Sequence, residues 1–80
     1  MSERKLTLAD LQQGETGRIL KINADRIVRH RLMDFGLRSG ESVTMIRTAP
    51  LADPLEFRIR GGYISLRRSE AGKIDITRME

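Results

Sequence analysis

The sequence predicts a mainly β fold: a small five-stranded antiparallel barrel with one short helix inserted after the first strand. Three observations lead there. Leu55, Phe57 and Ile59 alternate with Glu56, Arg58 and Arg60, the period-two pattern of a strand with one face buried. Gly61-Gly62 follows at once, a two-residue hairpin signal that turns the chain back antiparallel. Residues 26 to 35 carry apolar side chains at helical spacing, and Gly36 stops them. Short strands in a chain this small protect their edges best by curling into a barrel.

Taken in order, Thr7 is a candidate N-cap for a single helical turn over Leu8 to Leu11, which ends before Gly14. Residues 17 to 24 read as the first strand, with Leu20, Ile22 and Ala24 at period two and Ile19 out of phase. Asp25 caps the helix. On it Val28, Leu32 and Phe35 form one apolar stripe, while Arg26, Arg29, His30 and Met33 lie around another face. Gly36 suits a left-handed C-terminal residue, after which Leu37 folds back, and Gly40 permits the turn into a strand over residues 42 to 48. Pro50 and Pro54 bracket a loop, since neither can donate to a central ladder. Residues 55 to 60 and 63 to 67 form the hairpin with Ile64 and Leu66 inward. Ser69 to Gly72 fits one 3₁₀ turn, and residues 73 to 77 supply the last strand.

Eighty residues suit one domain, which buries only ~60% of the surface of its unfolded chain. The chain has no cysteine, so disulfides and thiolate metal sites are excluded and a reducing compartment is expected. Met1 to Lys5 is polar with no apolar run behind it, so neither a leader nor a membrane span is expected. Fifteen Lys and Arg against eleven Asp and Glu give a net charge of +4. The excess is interspersed, eight basic and five acidic groups in residues 1 to 40 and seven and six in residues 41 to 80. A solvated mixed surface explains that pattern better than a nucleic-acid patch.

Three segments together, Arg31-Leu32-Met33-Asp34-Phe35-Gly36-Leu37-Arg38-Ser39-Gly40, Ala49-Pro50-Leu51-Ala52-Asp53-Pro54 and Arg67-Arg68-Ser69-Glu70-Ala71, resemble the FeoA family, small cytosolic accessory proteins of bacterial ferrous-iron uptake. The resemblance runs from about Leu8 to Ile76. It implies an SH3-like barrel, whereas strand count alone suits an OB-fold equally. It also implies a cytoplasmic location, no cofactor, and a protein partner, the GTPase-bearing cytosolic part of the FeoB membrane transporter.

The chemistry of catalysis is missing from the residues. The single histidine, His30, lies on a basic helical face without a nucleophile motif. The carboxylates Asp10, Asp25, Asp34, Asp53 and Asp75 fall at expected caps, turns and outward strand positions. Glycines are not followed by the Lys-Ser or Lys-Thr of a phosphate loop. His30 and Asp34 stand at i and i+4 and could face one ion. Arg26 and Arg29 beside them make that a poor cation site, and no metal is expected.

The resemblance singles out Arg31, Arg67 and Arg68. A structural role assigns Arg31 and Arg67 to bidentate pairs with carboxylates such as Asp34 and Glu70, tying the helix and the 3₁₀ turn to the barrel, with Gly36 and Gly40 shaping the connection. The tip presents Leu51 beside Pro50 between stiffening prolines, a preorganised point for docking. With Met33 and Leu37 it would form an apolar patch, flanked by Arg26 and Arg29. The expected function is therefore regulation of the transporter by contact, without enzymatic activity. An arginine supplied to a GTPase site is disfavoured because arginine fingers sit on exposed loops. An alternative is a module akin to the C-terminal SH3-like part of iron-dependent repressors, though no DNA-reading helices precede it. Nucleic-acid binding is opposed by the shortage of aromatic platforms: Phe35, Phe57 and Tyr63 are all there are, two of them expected inward.

Overall fold

The computed structural model describes residues 6–79; the polar segment Met1 to Lys5 lies outside them. The chain forms β1 (Leu6–Thr7), a 3₁₀ turn (Leu8–Asp10), β2 (Thr16–Ile22), α1 (Arg26–Asp34), β3 (Ser42–Thr48), β4 (Leu55–Ile59), β5 (Gly62–Leu66), α2 (Arg68–Ala71) and β6 (Ile74–Met79). All neighbours pair antiparallel, in the order β1-β6-β2-β3-β4-β5. The sheet thus has six strands rather than the expected five. The sixth is β1, two residues long, which no periodicity could reveal.

The ends of the sheet are β1 and β5, and the space between them is bridged by helical turns. The 3₁₀ turn packs on α2, and α2 on β5, so side chains protect the edges where a closed ladder would have done so. Thr7 accepts the Ala9 N–H, while the Asp10 carboxylate accepts the Thr7 N–H at 2.9 Å, a reciprocal cap that starts the turn. Leu8 and Ala71, one on each turn, are both fully buried.

Phe57, Leu8, Ile19, Leu32, Leu37, Leu55, Ile74 and Val43 are the largest fully buried side chains. In β2 the inward set differs from the expected one. Ile19 is buried and Leu20 is half exposed, because the β2–β6 register shifts between Ile19 and Lys21. The bulge absorbs Leu20 and lets Ile19 and Ile22, three residues apart, meet the same core. Gly17 faces inward just before it. A Cβ there would lie 2.5 Å from Ile76 Cδ1, so any side chain at this position would first have to displace that methyl from its packed place.

α1 begins as expected, with Asp25 Oδ1 accepting the Val28 N–H at 2.9 Å. It ends in a Schellman motif: Leu37 N–H donates to Leu32 O and Gly36 N–H to Met33 O, with Gly36 at φ +99°. Leu37 folds back onto Leu32, and both are fully buried. Phe35, expected on the packed stripe, is instead 55% exposed. It is the C-cap, with its backbone still in the helical region, and its ring stands at the end of the helix without a covering element. Of that stripe, Leu32 is buried and Val28 packs partly. Asp75 also departs from expectation. It is buried and accepts from Asn23 Nδ2 at 2.6 Å, a polar tie between the end of β2 and β6.

Candidate functional site

The loop between β3 and β4 is built to hold its tip in place. Ala49 N–H donates to Pro54 O and Ala52 N–H to Ala49 O, closing a tight turn in which Ala52 takes φ +70°. A non-glycine residue in that region carries strain that its surroundings must offset. Arg68 does so: its Nε and Nη2 both donate to Ala52 O, and its backbone N–H donates to Asp53 Oδ1 at 2.8 Å. The loop is thereby anchored to the start of α2, and Leu51 projects with 90% of its surface exposed. Pro50 beside it is exposed too.

The remaining residues of the expected patch divide. Arg26 and Arg29 are exposed on α1, and Met33 is partly so. Leu37 is fully buried, because the Schellman turn carries it into the core; it cannot belong to a surface patch. His30 and Asp34 are exposed. Among the described residues no three His, Cys, Asp or Glu side chains converge as a metal site would require.

The structural arginines are also rearranged. Arg31 pairs with Glu70, one of its two expected carboxylates, across 39 positions of sequence, through a single hydrogen bond rather than a fork. The other Glu70 oxygen accepts the Arg67 backbone N–H at 2.9 Å. Glu70 therefore caps α2 and fastens α1 to it, while the Arg67 guanidinium has no carboxylate among the described residues. Arg68, not Arg67, makes the bidentate side-chain contact. Sequence spacing could not separate these adjacent arginines, since the decisive acceptor is a backbone carbonyl on a distant loop. Glu70→Ala is expected to lower stability by about 1–2 kcal/mol through the lost cap, and Arg31→Lys by under about 1 kcal/mol because the pair is exposed. Urea unfolding of both variants checks that order; an Arg31→Lys loss exceeding that of Glu70→Ala would reverse the assignment.

A family profile described as "FeoA domain" matches residues 6–78. The chain belongs to the FeoA domain family. It is 32% identical over 71 residues to an Fe(2+) transport protein A/Fe(2+) transporter FeoB fusion protein of Porphyromonas gingivalis (strain ATCC BAA-308 / W83), covering 89% of this chain and 8% of that one. The chain thus spans under a tenth of this curated relative. The FeoA protein of Chlorobium tepidum superposes with a TM-score of 0.88 at 35% identity, over 94% of this chain and 71% of that one. A zinc-complexed FeoA of Stenotrophomonas maltophilia, described as a prokaryotic SH3 domain protein, superposes with a TM-score of 0.78 at 25% identity, over 90% and 89% of the two chains. The fold is the SH3-like one of FeoA proteins, with α1 inserted between β2 and β3. A manganese-dependent transcriptional repressor shares it at 18% identity, with 38% of that chain matched, a likeness of fold alone. Among the described residues no helix is long and apolar enough to cross a membrane.

Proposed function

We propose that this FeoA protein is a cytoplasmic, non-enzymatic regulator that docks on the cytosolic, GTPase-bearing region of a FeoB transporter. The carrying observation is the fusion protein, in which a FeoA domain like this one and FeoB share one chain. A surface that is ordered before docking lowers the cost of such a contact. The anchored loop supplies one. Leu51 stands on a turn already fixed by Arg68, so docking there orders little that was free. The exposed Pro50, Met33, Arg26 and Arg29 complete the proposed contact set.

Calorimetric titration of the protein into detergent-solubilised full-length transporter, with and without a non-hydrolysable GTP analogue, tests the reading. Saturable, nucleotide-sensitive binding is expected. Leu51→Glu should weaken it at least tenfold while leaving the thermal midpoint within about 2 °C, since the side chain touches no core residue. Absence of binding with both proteins folded would refute the reading, and normal binding by Leu51→Glu would remove the loop tip from the interface.

A further inference from the structure

A second surface lies where α1 ends, and it owes its existence to the outward turn of Phe35. Phe35 and Tyr63 line one open groove with Ile59, Arg38, Arg60 and Glu41. On its other side Phe35 lines a second groove with Pro54, Arg31 and Arg67. The ring is thus a ridge between the β4–β5 hairpin and the foot of the anchored loop. Phe35 and Tyr63 are 55% and 69% exposed. Aromatic rings and arginines are the residues that dominate binding energy at protein interfaces.

The charge on this face indicates the occupant. Four guanidiniums, of Arg31, Arg38, Arg60 and Arg67, line the two grooves against the carboxylates of Glu41 and Glu70. Glu70 is already engaged by Arg31. Among the described residues Arg38, Arg60 and Arg67 pair with no carboxylate, whereas Arg47 and Arg78 elsewhere on the sheet do so with Glu56 and Glu15. Arg18, Arg26, Arg29 and Arg58 also lack a carboxylate among the described residues; what sets this group apart is that it lines the grooves shared with the two exposed aromatic rings. A ligand that complements both features carries carboxylates and an apolar side chain together.

We propose that the Phe35–Tyr63 face receives an acidic segment of the transporter's cytosolic region, with an apolar side chain seated against the two rings and carboxylates on Arg38 and Arg60. This rests on the docking reading above and adds the chemistry of the partner. Arginine forks hold carboxylates in fixed orientation, so the face would set the orientation of a partner that the loop tip alone could only touch.

The test is the same titration into full-length transporter, using Arg38→Glu/Arg60→Glu and, separately, Phe35→Ala, with circular dichroism to establish folding. Wild-type binding should weaken as salt is raised, and each variant should lose about 30-fold in affinity. Both variants binding within twofold of wild type would overturn the face and leave docking standing. No binding by wild type would overturn both. Unchanged transporter binding together with charge-reversal-sensitive binding to phosphatidylserine vesicles would assign the face to lipid, and concentration-dependent dimerisation lost in the same variants would assign it to a second copy; either overturns the proposal.

Discussion

Phe57→Ala is expected to lower the free energy of unfolding by about 3–5 kcal/mol. The ring is the largest of the fully buried side chains. It stands in the middle of β4, opposite Met45 on β3 and Ile64 on β5, so truncation leaves a void that three strands would have to close together. A domain of this size has on the order of 4–12 kcal/mol in all, which makes the loss a large share of its stability. Guanidinium unfolding should show the midpoint falling steeply with little change in slope. A loss under about 1 kcal/mol would mean that the core is not centred on this ring.

The second large effect concerns a residue without a side chain. Gly17→Ala adds a Cβ 2.5 Å from Ile76 Cδ1 and 3.4 Å from both Ile76 Cβ and Thr77 O. Restricting the unfolded chain favours alanine over glycine by about 0.4–1 kcal/mol, but overpacking a filled core costs about 1–3 kcal/mol. Ile76 is only 3% exposed, so its δ-methyl has no solvent to retreat into and the clash should win. Ile76→Val removes that methyl. The double variant Gly17→Ala/Ile76→Val should therefore be more stable than the sum of the single changes by at least about 1 kcal/mol. Strict additivity in denaturant titrations would show that Gly17 is not there for close approach of β2 and β6.

These two residues illustrate what could be read in advance. Phe57 was legible because the β4 alternation is local and unbroken, and the hairpin that follows is signalled by its own glycines. The helix stop at Gly36 was legible for the same reason. Gly17 was not, since its partner Ile76 is 59 positions away and the bulge at Leu20 breaks the strand's period. Asp75 misled for a related reason: a buried carboxylate next to apolar Ile74 and Ile76 looks like the outward member of an alternating strand until Asn23 is brought to it. Phe35 was misplaced because helical spacing alone put it on the apolar stripe, and spacing does not show that nothing covers that stripe at the helix end. The loop tip was recognisable from its prolines, but its anchor was not, because Arg68 holds a backbone carbonyl rather than a charged side chain.

The pairing of β1 with β6, Leu6 against Ile76 and Thr7 against Asp75, has an architectural consequence. The two strands run in opposite directions, so the first residue of β1 and the C-terminal half of β6 lie at the same end of the sheet. A unit with a shared entrance and exit can be spliced into, or hung from, a larger polypeptide without disturbing its interior. Joining to a chain many times its length, as in the Porphyromonas gingivalis fusion protein, is then a change of tethering rather than of fold.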